Sequence, residues 1–170
     1  MVAVVLALAM PGVVVVLRAE IERTDTQVRT LRDAVLGEDS FSRRTLSGPD
    51  MGGFLGHKQN GIWGEARVRR TPEDVLRDLA TGAVSAGIDE PVCFAPAQPP
   101  VTLSQVLAAV YACDVTRYRV PFGWVKVRPG WTEEGDEPLS LVQYGFGPES
   151  GSILHQFQSS PTDAAAPGPR

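Results

Sequence analysis

Apolar residues fall along this chain in runs of different period, and each period predicts an element. From Val2 to Leu17 the sequence "VAVVLALAMPGVVVVL" carries sixteen successive uncharged residues, a stretch that water will not tolerate on a surface. A helix crossing lipid wants about 20 apolar residues, and Pro11-Gly12 interrupts this run near its middle. Three readings follow. Residues 1–17 form a membrane anchor, or a cleaved signal segment whose positive start is supplied only by the amino terminus, or a buried strand hairpin turning at Pro11-Gly12.

What comes next favours the anchor. Ile21, Val28 and Val35 fall seven residues apart, with Leu17, Thr24 and Leu31 in the complementary positions, which is a heptad pattern with Thr24 as its weak point. Mixed charges surround it, and Gly37 is a plausible stop. Residues 18–36 therefore read as a helix leaving the apolar run, either pairing with a second copy or packing as an amphipathic helix on its own domain. Residues 37–61 belong to a glycine-rich stretch with almost no periodicity and read as a linker.

From Ile62 the period becomes two: Ala66 and Val68 alternate with Glu65, Arg67 and Arg69, as in a half-buried strand. "TPEDVLRDLATG" then opens a helix with Thr71 as its cap, Pro72 at the first helical position and acidic residues at the positive helix end. A short strand is expected around Val92 to Ala95, fenced by prolines. Thr102 caps a second helix, with Gln105 completing a capping box, Val101 placed to staple against Val106, and Leu103, Val106, Leu107, Val110 and Tyr111 as its buried face. "TRYRV" and "WVKVR" read as a hairpin turning at Pro121-Phe122-Gly123. Val142, Tyr144 and Phe146 mark a further strand, and residues 147–170 read as a disordered tail. The fold class is α+β, a small sheet with two helices packed on one face, spanning residues 62–146.

The run from Leu76, "LRDLATGAVSAGIDEPVCFAPAQPPVTLSQVLAAVYACDVTRYRVPFGWVKVRP", resembles the short N-terminal signalling domain shared by secretins and TonB-dependent receptors, and a related domain at the end of anti-sigma regulators. The likeness covers residues 76–129. It lies in the order of a leucine-containing helix, an extended segment, "VTL" opening a second helix with a buried Leu-Ala, and a tyrosine-bearing hairpin ending in an apolar strand. The resemblance implies an extracytoplasmic docking module that binds another protein and brings no catalytic residues. This chain carries its apolar run at the front and has no ring or barrel after the module, which leaves the expectation of a freestanding anchored adapter.

Charge and chemistry add limits. A formal net charge of −4 is unlike the strongly basic balance of bulk nucleic-acid binders. Cys93 and Cys113 exclude a four-cysteine zinc site and leave one disulfide or two unpaired thiols, the second being the commoner outcome for small buried cysteines. The glycine-rich stretch is no phosphate loop, because His57-Lys58 is followed by Gln59 where Ser or Thr is needed. Glu133, Glu134, Asp136 and Glu137 read as a solvated loop, and neither His57 nor His155 has metal-ligand or nucleophile spacing to a partner. No cofactor and no catalytic residue is expected.

The candidate binding residues are Arg117, Arg119, Trp124, Lys126 and Arg128, read as four basic side chains and an indole on the wet face of the hairpin. Three functions compete. The first is a membrane-anchored, non-catalytic docking adapter whose partner is another protein, with self-association through 18–36. The second is a nucleic-acid module using hairpin 116–128 to track phosphates and stack a base, and the third is a small enzyme. Arginines after the apolar run would place the domain in the cytoplasm; the resemblance and a Cys93–Cys113 disulfide would place it outside, which is the orientation expected.

Overall fold

A computed structural model of the protein describes residues 2–47, 61–97, 100–130, 138–148 and 150–153. Nine elements follow one another: α1 (Val2–Leu36), β1 (Ser40–Ser47), β2 (Ile62–Val68), α2 (Pro72–Ser85), β3 (Val92–Phe94), α3 (Leu103–Ala108), β4 (Tyr111–Arg117), β5 (Val120–Pro129) and β6 (Ser140–Phe146). The strands form one six-stranded sheet in the order β1-β2-β6-β5-β4-β3, and every neighbouring pair is antiparallel. The α+β class and a helical layer on one face are as the patterning predicts. The helices that make the layer are α1 and α2.

The backbone runs as one helix from Val2 through Pro11-Gly12 to Leu36, so a strand hairpin at residues 1–17 is ruled out. Gly37 ends the helix in the left-handed region, at φ +58, where a residue without Cβ pays no steric penalty. The guanidinium of Arg70 then donates to the orphan carbonyls of Val35 at 2.6 Å and Ala34 at 3.4 Å, and pairs with Asp78 on α2. A Cβ on Gly82 would lie 2.5 Å from that of Ala34, so a glycine is what lets the two helices approach this closely.

Val28, Leu31, Val35 and Leu36 are buried in the core beside Val75 and Leu79 of α2 and Val68, Val115, Val125, Val127, Val142, Tyr144 and Phe146 of the sheet. The second half of the heptad seam is therefore used within the chain, as in the alternative of a helix packed on its own domain, while Ile21 at its start is 42% exposed. Thr24, the seam's polar position, accepts a hydrogen bond from Arg117 at 3.0 Å. Toward its N-terminus the helix leaves the domain: Val15, Val16 and Leu17 are 67%, 68% and 54% exposed. Among the described residues, no helix is long and apolar enough to cross a membrane. Sixteen residues rise about 24 Å against a hydrocarbon core of about 30 Å.

Other boundaries shift as well. The expected linker at 37–61 contains β1, which pairs with β2 around a bulge between Phe41 and Arg44; residues 48–60 lie outside the described residues, as do His57, His155 and the acidic loop. The predicted second helix is only six residues long, and although its capping box is present, Leu103 is 56% and Val101 87% exposed. Of its expected buried face, Val106 and Val110 are half-buried, and Tyr111, which is buried, opens β4 instead of ending the helix. The hairpin turns at Tyr118-Arg119, both with positive φ (54 and 64), not at Pro121-Phe122-Gly123. The expected tail begins with order: Ser152 and the Ile153 amide both donate to Asp114, the latter at 2.7 Å.

Candidate functional site

Antiparallel registry decides which side chains share the face of the sheet that α1 and α2 leave open. The rows of partners run Trp124–Gly145–Trp63, Lys126–Gln143–Glu65 and Arg128–Leu141–Arg67 across β5, β6 and β2. Residues between them, Val125 and Val127 on β5, Val142 and Tyr144 on β6 and Ala66 on β2, are buried in the core. By the pleat alternation, the nine named positions therefore point the other way. Trp63 is 45% and Leu141 42% exposed, and Glu65, Arg67, Arg128 and Gln143 are exposed.

The nine positions are not of equal height. β6, the middle strand, carries Gly145, Gln143 and Leu141, whereas β5 and β2 carry indoles and long charged groups. A depression of about 260 Å³ results, lined by Glu65, Arg67, Lys126, Arg128, Leu141 and Gln143 together with Ala66 and Val142. At one end of this face the indole of Trp124 lies over Gly145, where an added Cβ would fall 2.9 Å from its Nε1. Burial first, and then the neighbouring Arg128, hold the Lys126 ammonium below its ordinary pKa.

Of the expected binding residues, Trp124, Lys126 and Arg128 stand together on this face. Arg117 does not. A bulge between Val115 and Thr116 resets the alternation of β4, so its guanidinium turns under the helical layer, pairs with Glu20, bonds Thr24 and lies 5.6 Å from the Phe122 ring centroid. Arg119 occupies the turn, and its amide donates to Asp89 at 3.0 Å. The reading of four basic groups on one wet face is corrected to two on β5. The third basic member, Arg67, and the second indole, Trp63, come from a strand 61 residues earlier in the chain than their row partners Arg128 and Trp124. Their alternation with Ala66 and Val68 was visible, but only the sheet order puts β2 within reach.

Cys93 and Cys113 form a disulfide between directly opposed positions of β3 and β4, which settles that alternative against unpaired thiols. Cys113 is buried and Cys93 exposed. Among the described residues, no three His, Cys, Asp or Glu side chains gather where they could hold a metal ion. Comparison with protein-family models, characterised proteins and solved structures finds no match to the chain.

Proposed function

We propose that the protein is a membrane-anchored, non-catalytic docking module that receives another protein on the open face of its sheet, on the extracytoplasmic side. The observation that carries this reading is the open face itself: two indoles, three basic groups and a shallow depression share it, while the opposite face is consumed by α1 and α2. Aromatic and arginine side chains around a desolvatable centre are what binding hot spots are made of. The resemblance to a docking domain of secretins and receptors supports the same class of function.

The anchor is residues 1–17, embedded in lipid. Its last residues, Val15 to Leu17, stand exposed outside the domain that α1 helps to build, and an exposed apolar helix end needs a non-aqueous environment. With Arg18 at the boundary, a run shorter than the bilayer can be accommodated by snorkelling and local thinning. The disulfide supports the outward orientation, since such bonds persist in oxidising compartments. It also weakens the nucleic-acid reading, which loses Arg117 to the helical layer as well.

A photo-crosslinking side chain placed at Gln143 in the full chain, in living cells, tests the face. Adducts formed from position 143, lost on Trp124→Ala and absent from the same probe at Val84 on α2, are expected. Adducts from Val84 and none from Gln143 would overturn the proposal.

A further inference from the structure

The geometry points to a second membrane contact: the tip of the β4–β5 hairpin, Tyr118 to Val120, seats in the headgroup layer of a zwitterionic bilayer and holds the domain in one orientation on it. This deepens the anchor reading of residues 1–17 and rests on it. The two ends of the domain are told apart by what touches α1. At the end of the helix, Arg70 bonds the carbonyls of Ala34 and Val35, the next residue, Thr71, caps α2, and Tyr111, which opens β4, meets Glu73 in the first turn of α2. Toward the exposed beginning of the helix, Arg117, which closes β4, pairs with Glu20 and bonds Thr24. β4 therefore runs toward the end of the domain from which the apolar helix leaves, and the hairpin turns there.

Distances along the helix decide where the tip sits. Glu20 and Thr24 lie about 4.5 and 10.5 Å past Leu17, while the headgroup layer of each leaflet is about 6 Å deep. Between those two residues, the Arg23 guanidinium lies 6.0 Å from the centroid of the Tyr118 ring, and that of Arg117 lies 5.2 Å from it. With Leu17 at the hydrocarbon edge, the turn meets the headgroups. What it presents suits them, since Tyr118 is 65% and Val120 61% exposed, and an amphipathic ring beside an apolar side chain is what membrane interfaces favour. A two-residue hairpin turn with both φ angles positive favours Asn-Gly, yet Tyr118 and Arg119 hold that conformation here, at φ 54 and 64, against a steric cost. Turn geometry does not account for these side chains; contact with lipid does. The exposed charges of this end are mixed in sign, Arg23 and Arg119 with Glu22, Asp89 and Glu90, which matches the phosphate and ammonium of a zwitterionic headgroup better than an anionic surface. Two side chains bury too little area to hold the chain alone, so the tip orients what residues 1–17 anchor.

The full chain, labelled with fluorotyrosine and inserted into phosphatidylcholine nanodiscs, tests this by fluorine NMR, because tyrosine occurs only at positions 111, 118 and 144. Tyr111 and Tyr144 are buried and serve as internal references, and Tyr118→Phe assigns the third resonance. A spin label on the lipid headgroup should broaden Tyr118 at least about tenfold more than Tyr111, which stands about 20 Å away along β4. A water-soluble gadolinium chelate should leave Tyr118 sharp, although the protein itself leaves that ring exposed. Val120→Asp, at an exposed position and checked by an unchanged thermal midpoint, should reverse both results. Tyr118 broadened by the chelate and not by the lipid label, or a pattern indifferent to Val120→Asp, would overturn the inference. If the chain co-purifies with the discs and only the Tyr118 pattern fails, the anchor stands and the tip contact falls; a chain that does not enter the discs removes both.

Discussion

A methyl group at position 123 would lie 2.6 Å from the Gly145 carbonyl oxygen and 2.6 Å from Phe146 Cδ1. Backbone and a fully buried ring cannot both yield, so Gly123→Ala should destabilise the fold by about 2 kcal/mol or more, read as a fall in the denaturation midpoint at unchanged m-value. The same residue had looked like a turn glycine, since Pro-Phe-Gly between two alternating runs carries a turn signature. Its real constraint is the close approach of β5 to β6, which no local pattern reveals. The true turn hides the opposite way: Tyr118 and Arg119 carry no glycine or asparagine signal, and Asp89 supplies what their sequence does not, accepting from the Arg119 amide and the Thr116 hydroxyl, each at 3.0 Å. Tyr111 gives a second test at this scale. Burial, and then a hydrogen bond to the Glu73 carboxylate and that charge itself, push its pKa from 10.0 up to about 12. Between those values the unfolded chain has lost the phenolic proton and the folded chain keeps it, so stability falls as pH rises through that window. Below 10 the contribution is fully present. Lys126, shifted down, acts in the opposite sense below its ordinary 10.5, so the comparison should be made with Tyr111→Phe, whose chemical-denaturation stability should decline less steeply from pH 10 to 12 than that of the parent.

At the scale of elements, helix α1 carries the clearest lesson. A heptad spacing and the buried stripe of a packed helix are nearly the same signal over less than three heptads, since 3.5 and 3.6 residues per turn diverge by only about 20° per heptad. Val28, Leu31 and Val35 satisfied both, and the structure spends them on α2 and the sheet. Val28→Asp therefore places a carboxylate in the core, and we expect a loss of about 4 kcal/mol and of cooperative unfolding. Loss of crosslinked dimers with an intact thermal transition would show instead that the seam faces a second molecule. Strands β2, β5 and β6 were legible because each has one buried and one wet face, and the caps of α2 were legible because Thr71 accepts from the Asp74 amide at 3.2 Å, a purely local bond. β1 was not, because at an edge strand with a bulge the alternation is broken. The binding face was half legible for the same reason: the β5 residues announce themselves by alternation, whereas Arg67 and Trp63 join them only through a registry that places β6 between the two strands.

For the molecule as a whole, the division of α1 into a part that builds the domain and a part that leaves it sets the decisive experiment. Among the described side chains, the first α1 residue buried in the domain is Thr24, and the grip of the sheet on the helix begins at Glu20 and Thr24 through Arg117. Nothing described before Arg18 contributes to the core. Deleting residues 1–17 should therefore leave the thermal midpoint within about 2 °C of the full chain, because the destabilisation expected from exposed positions is within about 0.5 kcal/mol. Arg18–Glu22 and Arg29–Asp25 pairs remain along the helix and limit fraying of the new end. The distribution in the cell should change completely. The full chain is expected in the membrane pellet after a carbonate wash, held by apolar area that outweighs the displaced electrostatic contacts, and the shortened chain in the supernatant with its fold and its open sheet face intact. A full-length protein that stays soluble would remove the anchor from the proposal, while a shortened chain that unfolds would mean that the exposed turns at Val15 to Leu17 are held by the domain itself.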